Sequence, residues 1–226
     1  MNKKAVDYFF LSHPLRSPAS HIALKVRQQI FLIFLETMKP GEQTAILDVG
    51  VTPDRSLPES NFFEKLYPHK HRLTATSIED ASFLEQEYPG LTFVHTPEGK
   101  LPFGDRQFDL VFCSAVLEHV GGREDQGRFV RELLRVGKRF FLTTPNRWFP
   151  IEFHTFLPFI HWLPQQHHQA ILRLLGLDFW AETKNLNLLT PATIRTLFPE
   201  QTNLRIRKHY LLGLPSNLMV WGGEEY

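Results

Sequence analysis

The sequence predicts an α/β fold built on a seven-stranded, mostly parallel sheet with an antiparallel C-terminal strand pair and helices on both faces. Three observations lead there. Short apolar runs without polar alternation recur between helical stretches, which marks strands covered on both faces. Several of these runs end in Asp, Glu, Ser or Gly, so polar groups collect at one edge of the sheet. The last two β-forming runs flank a single turn, as an antiparallel pair does.

Along the chain, a helix is expected from about Pro18 to Met38, stopped by Pro40-Gly41. Ala45–Val49 is the first strand and ends at Gly50. A loop with Pro53 and Pro58 leads to a helical stretch from Ser60 to Leu66. The β-formers of 72–78 make the second strand, which runs into Glu79-Asp80. A short helix over Ala81–Glu87 stops at Tyr88-Pro89-Gly90, and Leu91–Val94 is the third strand. Phe108–Cys113 is the fourth and continues into Ser114-Ala115-Val116-Leu117-Glu118-His119. Phe129, Val130, Leu133 and Leu134 have helical spacing within 127–136, and Arg139–Thr144 is the fifth strand. A helix is expected over Gln165–Leu175, closed by Gly176. Leu204–Leu212 and Asn217–Trp221 flank the turn Gly213-Leu214-Pro215-Ser216. This order of elements is Rossmann-like, and such sheets bind ligands outside the carboxyl ends of their strands.

With 226 residues and 42% apolar content the chain suits a single domain over 1–226. Residues 145–190 read as a lid or acceptor-side insertion within it. Lys and Arg total 25 against 24 Asp and Glu, so no basic funnel is indicated and no nucleic-acid partner is expected. The lone Cys113 excludes an internal disulfide framework and fits a reducing, cytoplasmic setting. The weakly basic start Met1–Asp7 lacks a secretory h-region, and Ile30–Leu35 is too short to span a bilayer.

Ile46-Leu47-Asp48-Val49-Gly50, then Leu101-Pro102-Phe103 before Phe108-Asp109-Leu110-Val111, then Ala115–Val120, together resemble class I S-adenosylmethionine-dependent methyltransferases, nearest to the type 11 group. The likeness covers roughly 44–146. It implies S-adenosylmethionine as cofactor, with Asp48 and Gly50 at its methionine portion. Glycine there permits close backbone approach, and Asp48→Ala or Gly50→Arg is expected to abolish binding while the fold survives. The turn reads Gly50-Val51-Thr52-Pro53-Asp54, keeping one glycine of the family's usual set. The resemblance also implies a carboxylate for the ribose hydroxyls, from Glu79 or the adjacent Asp80, either of which could instead cap the next helix. Glu98 is the carboxylate nearest the family's adenine contact, displaced by one position. Ser114 lies at the cofactor end of the fourth strand, and Asp105 and Asp109 read as turn and strand-start residues.

His119 is the candidate catalytic base, because a near-neutral imidazole can take a proton from an acceptor hydroxyl. The other reading has Glu118 and His119 as structural residues beside the cofactor pocket. The segment 145–168 is rich in Phe, Trp and His, which either packs the lid or meets an apolar acceptor or membrane surface. Glu152 and His154 are the candidate acceptor contacts on it. His154, His161, His167 and His168 lack a zinc-signature spacing, so no metal is expected. The expected activity is methyl transfer to a small-molecule, glycan or lipid-like acceptor, with peripheral membrane contact through the aromatic lid. A fold kept for binding or regulation without turnover is the alternative, supported by the thinned glycine turn. A dehydrogenase is disfavoured because no Gly-x-Gly-x-x-Gly follows the first strand.

Overall fold

The computed structural model describes residues 16–224, so the basic start of the chain lies outside the described residues. In chain order the elements are α1 (Arg16–Met38), β1 (Ile46–Val49), α2 (Phe62–Leu66), β2 (Leu73–Ser77), α3 (Leu84–Glu87), β3 (Thr92–His95), β4 (Phe108–Ser114), α4 (Arg123–Val136), β5 (Gly137–Pro145), α5 (Gln165–Leu174), α6 (Asp178–Ala181), α7 (Pro191–Arg195), β6 (Arg205–Leu211) and β7 (Leu214–Gly223). They form a seven-stranded sheet in the order β3-β2-β1-β4-β5-β7-β6. β3, β2, β1, β4 and β5 run parallel, and β7 lies antiparallel to both β5 and β6.

Both faces of the sheet are covered, as unbroken apolar strands require. In β1, Ile46 packs into one core and Leu47 into the other. β4 alternates in the same way, with Leu110 and Phe112 on the first side and Val111 and Cys113 on the second. The first core absorbs much of the phenylalanine content. Phe34 of α1 meets Phe63, Phe112 and Phe141 edge-on at 5.2–5.4 Å between ring centroids. α1 is thereby fixed across the sheet by its aromatic stripe, which matters because its other residues reach the cavity described below.

Two boundaries differ from expectation for clear reasons. The turn between β6 and β7 is Leu212-Gly213, both at positive φ (51° and 78°), the geometry of a two-residue hairpin turn. Leu214 and Pro215 therefore already belong to β7, and Pro215 is accommodated where the register slips between His209 and Tyr210. α4 starts at Arg123 rather than near Gly127, because the Asp125 carboxylate accepts the Gly122 N–H at 3.0 Å and closes the first turn. Among the described residues, no helix is long and apolar enough to cross a membrane.

Candidate active site

The strand order reverses between β1 and β4, and a cavity of about 820 Å³ opens at the carboxyl ends of these strands and their neighbours. That is near the upper end of small-molecule sites, which run to about 1,000 Å³. α1 covers one side, contributing Ser20, Val26 and Arg27 to the lining. It is tied down there, since Ser20 donates to the Glu59 carboxylate and Arg27 Nη1 donates to the Glu59 carbonyl at 2.6 Å.

Gly50 forms the floor. Its φ of +101° is one that side-chain-bearing residues avoid, and a Cβ there would sit 2.2 Å from Val116 Cγ2. Glycine is thus required twice over, by backbone conformation and by the approach of the β4 exit. Val51, Thr52, Pro53 and Asp54 are not among the positive-φ residues, so this turn demands no second glycine. Hydrogen bonds hold the loop in its place. Asn61 accepts from Thr52 N–H at 2.9 Å and donates to the Thr52 carbonyl at 2.9 Å, while Asp54 accepts from Ser60 Oγ at 2.5 Å.

Asp48 is 6% exposed and Glu64 of α2 wholly buried, and both line the cavity. Burial, then the adjacent Glu64 charge, push the Asp48 pKa well up; burial raises that of Glu64 as well. Among the described residues, no amide, hydroxyl or cationic side chain donates to the Glu64 carboxylate, and its hydrogen-bonding neighbour is the Asp48 carboxyl. Two carboxyls held together out of water call for a cation or a shared proton.

Glu79 follows β2, lines the cavity and is half-buried, and its burial raises its pKa. Asp80 lies outside the lining, exposed, with its carboxylate accepting the Ser82 N–H at 2.9 Å, the local turn use of this residue type. Glu98 lines the outer rim and is exposed. Ser114 lines the cavity at the end of β4, with its hydroxyl 2.8 Å from that of Thr143.

Beyond Ser114 the chain turns sharply at Ala115, whose φ of 57° is strained for a residue with a Cβ. The turn aims a single helical turn, Leu117–His119, at the cavity. Glu118 is fully buried; Oε2 accepts from Thr144 Oγ1 at 2.9 Å and Oε1 has no hydrogen-bond partner among the described residues. His119 donates from Nδ1 to the Asn185 carbonyl at 2.6 Å, which turns Nε2 toward Glu118 Oε1, 4.0 Å away. Burial, then the nearby His154, push the His119 pKa down to about 3. Partial burial and the second histidine beside it both favour the neutral form of this imidazole.

Of the two candidate acceptor contacts, His154 lines the cavity and Glu152 stands behind it. Glu152 is 3% exposed and accepts from His154 Nδ1 at 2.6 Å, His154 N at 2.9 Å and both Thr155 N and Oγ1. Burial alone would raise the Glu152 pKa, but the His154 ring and these donors outweigh it and hold it down to about 2. Burial likewise works to lower the His154 pKa, and the Glu152 charge overrides it, leaving it raised. The His119 and His154 rings meet edge to face, 4.7 Å between centroids. Ligand atoms of Glu118, His119 and His154 all lie within 4.8 Å of one another, a grouping the sequence does not reveal because 35 positions separate its histidines (154 − 119). Arg27 and Glu64 are further lining residues that only the tertiary structure exposes.

A family model described as Methyltransferase domain, of the type 11 group, matches residues 56–139. Among solved structures, the fold is similar to the YcgJ protein from Bacillus subtilis (TM-score 0.58, 15% identity, covering 91% of this chain and 99% of that one). It is also similar to magnesium protoporphyrin IX methyltransferase (ChlM) from Synechocystis PCC 6803 with bound SAH (TM-score 0.52, 14% identity, 92% and 84%). The CurJ carbon methyltransferase matches with a TM-score of 0.55 at 12% identity over 88% of this chain, which spans only 53% of the CurJ chain. No curated protein matches the sequence.

Proposed function

We infer that this chain, which has the class I methyltransferase fold and a type 11 methyltransferase segment, is an S-adenosylmethionine-dependent methyltransferase acting on a small-molecule, glycan or lipid-like acceptor. One observation carries the reading: the cavity at the strand ends is lined by two adjacent buried carboxyls, Asp48 and Glu64, beside a glycine that keeps the floor open. These residues fit a cofactor with a cationic amino-acid end, and half-buried Glu79 fits the sugar hydroxyls. When bound, S-adenosylmethionine supplies an electrophilic methyl group on a sulfonium that leaves readily. The protein's part is to orient and to exclude water. Asp48 and Glu64 would hold the cationic end, Gly50 and the Asn61-braced loop would set its depth, and Glu79 would grip the ribose. Asp80, engaged with Ser82 outside the lining, is not assigned this work. Glu98 and Ser114 would contact the nucleoside from the rim and from the end of β4. His119, with Nδ1 engaged by the Asn185 carbonyl, would stand on the acceptor side as a neutral imidazole rather than as a proton acceptor at neutral pH.

Calorimetric titration with S-adenosylmethionine and S-adenosylhomocysteine tests the reading. Saturable binding of both is expected, and Glu79→Ala is expected to weaken it about tenfold or more, the value of about 1.4 kcal/mol. Absence of heat at millimolar ligand sinks the assignment.

The acceptor side extends the proposal to residues 145–190, the lid. Leu172, Trp180, Ala181 and Leu186 give this segment a small core of its own. Trp148 (49%), Phe159 (52%) and Trp162 (39%) remain exposed on it, with Trp162 touching both of the others. Clustered aromatic rings outside a packed core suit an interface with lipid. The chain is expected to co-sediment with phospholipid vesicles, and Phe159→Ser/Trp162→Ala is expected to cut the bound fraction several-fold. Equal sedimentation of both proteins would remove the membrane part of the proposal.

A further inference from the structure

We propose that Glu118, His119 and His154 form a binding site for one divalent transition-metal ion, whose remaining coordination positions open on the cavity and take an oxygen of the acceptor. Three independent features of the site point the same way. The potential ligand atoms converge to within 4.8 Å from two distant segments, the exit of β4 and the lid. Both imidazoles have their Nδ1–H engaged by a fixed acceptor, the Asn185 carbonyl for His119 and the Glu152 carboxylate for His154, each at 2.6 Å. That outer arrangement sets the tautomer and orientation in which Nε2 is presented to a metal. Third, Glu118 is fully buried, and while Thr144 occupies Oε2, Oε1 is without a hydrogen-bond partner among the described residues. A buried carboxylate oxygen without a hydrogen-bond donor is unfavourable unless a cation or a proton meets it.

Two imidazoles and one carboxylate form a mixed nitrogen and oxygen set, which suits Zn²⁺, Mn²⁺, Fe²⁺ or Co²⁺ rather than the all-oxygen cages of Ca²⁺. Ligand atoms about 2.1 Å from an ion sit closer together than 4.8 Å, so the more distant ring must swing inward as the ion enters. Three protein ligands leave positions open, as in metal sites that act on a substrate. His119 and His154 line the cavity beside Glu118, so those positions face the acceptor side. An acceptor hydroxyl bound there would be acidified and oriented by the ion. Only this last step, the identity of the bound oxygen, rests on the methyltransferase reading; the ion's binding does not.

The test uses the full chain stripped of metal and titrated with Co²⁺ alone, followed by visible absorption and by elemental stoichiometry. One equivalent is expected, with the d–d bands of nitrogen and oxygen ligation. Glu118→Gln and His154→Ala are each expected to abolish the bands, and Glu152→Gln is expected to weaken binding about 10–100-fold. Thermal melting identifies any variant that has not folded, and the isosteric Glu118→Gln decides the matter if His154→Ala is lost. Failure to bind Co²⁺, or full binding retained by Glu118→Gln, overturns the site. S-adenosylmethionine titration on the same samples reports the cofactor reading separately, so either can fail alone.

Discussion

Gly50→Ala is expected to eliminate measurable S-adenosylmethionine binding and to destabilise the protein by about 2–4 kcal/mol. A single methyl group does both because the position is constrained from two sides. The backbone is held at φ +101° by the Gly50 N–H donating to the Thr76 carbonyl at 2.8 Å, so an alanine cannot relax without leaving β2. The added Cβ would also meet Val116 Cγ2 at 2.2 Å, and Val116 precedes the turn that carries Glu118 and His119. The insult therefore passes from the floor of the cavity to the turn that carries Glu118 and His119. Differential scanning fluorimetry should show a fall of about 5–15 °C for a chain of this size. Val116→Ala in the same background is expected to recover the packing share of that loss, leaving the backbone strain. Unchanged melting and binding in Gly50→Ala would show that nothing docks closely on this turn. The overlap also revises the expectation that Gly50→Arg would spare the fold: a side chain here disturbs β1, β2 and the β4 exit together.

The parts of the fold that follow from local chemistry are legible in the sequence. The apolar runs around Leu47, Val111 and Phe141 identify parallel strands because both faces must be covered, and the polar residues that end them mark the ligand edge. Gly50 is readable because a close backbone approach has a residue-type signature. The thinned glycine turn is readable too, but its consequence is not. The sequence suggests loss, whereas Asn61, nine residues beyond Thr52, closes the loop by a paired hydrogen bond that no local pattern announces. Leu212 is misplaced in the sequence reading for a related reason. It occupies φ 51° in a hairpin turn without being Gly, Asn or Asp, so the turn is sought one residue too late. His154 is visible as a histidine of the aromatic segment after the fifth strand and His119 as a strand-end histidine. Their pairing, with Glu118 beside them, exists only in the folded chain, where two segments distant in sequence meet. Arg27 and Glu64 are invisible for the same reason, since each lies in a helix that reads as ordinary core packing.

Glu64→Gln is expected to make the ligand-free protein more stable at neutral pH while weakening its hold on the cofactor. The carboxyls of Asp48 and Glu64 are both buried, and each has its pKa raised above that of an unfolded chain. A carboxyl of this kind binds a proton more tightly when folded. Its stabilising effect is complete below the unfolded value, about 4, and is lost as the pH climbs toward the raised folded value. Near pH 7.5 the pair thus opposes folding, by about 1.4 kcal/mol for every tenfold gain in proton affinity that the folded site holds over the unfolded chain. The glutamine amide removes one charge and offers Asp48 a donor, so the variant is expected to melt higher at pH 7.5. The gap should narrow as the pH falls through the raised folded values, where the wild-type pair regains its proton. Taking the difference between the two proteins at each pH cancels the contributions of Glu118, His119 and Glu152, whose own displaced pKa values are common to both. Cofactor affinity should move in the opposite direction, falling about tenfold, because the cationic end meets one carboxylate in place of two. A variant that melts lower across the whole range would mean that Glu64 is held by packing and hydrogen bonds that a glutamine cannot copy. One that binds the cofactor as tightly as wild type would mean that the positive end lies elsewhere in the cavity. Stability surrendered in the empty protein and recovered on binding is what a cavity organised around a cationic ligand requires, and this pair is where the trade can be measured.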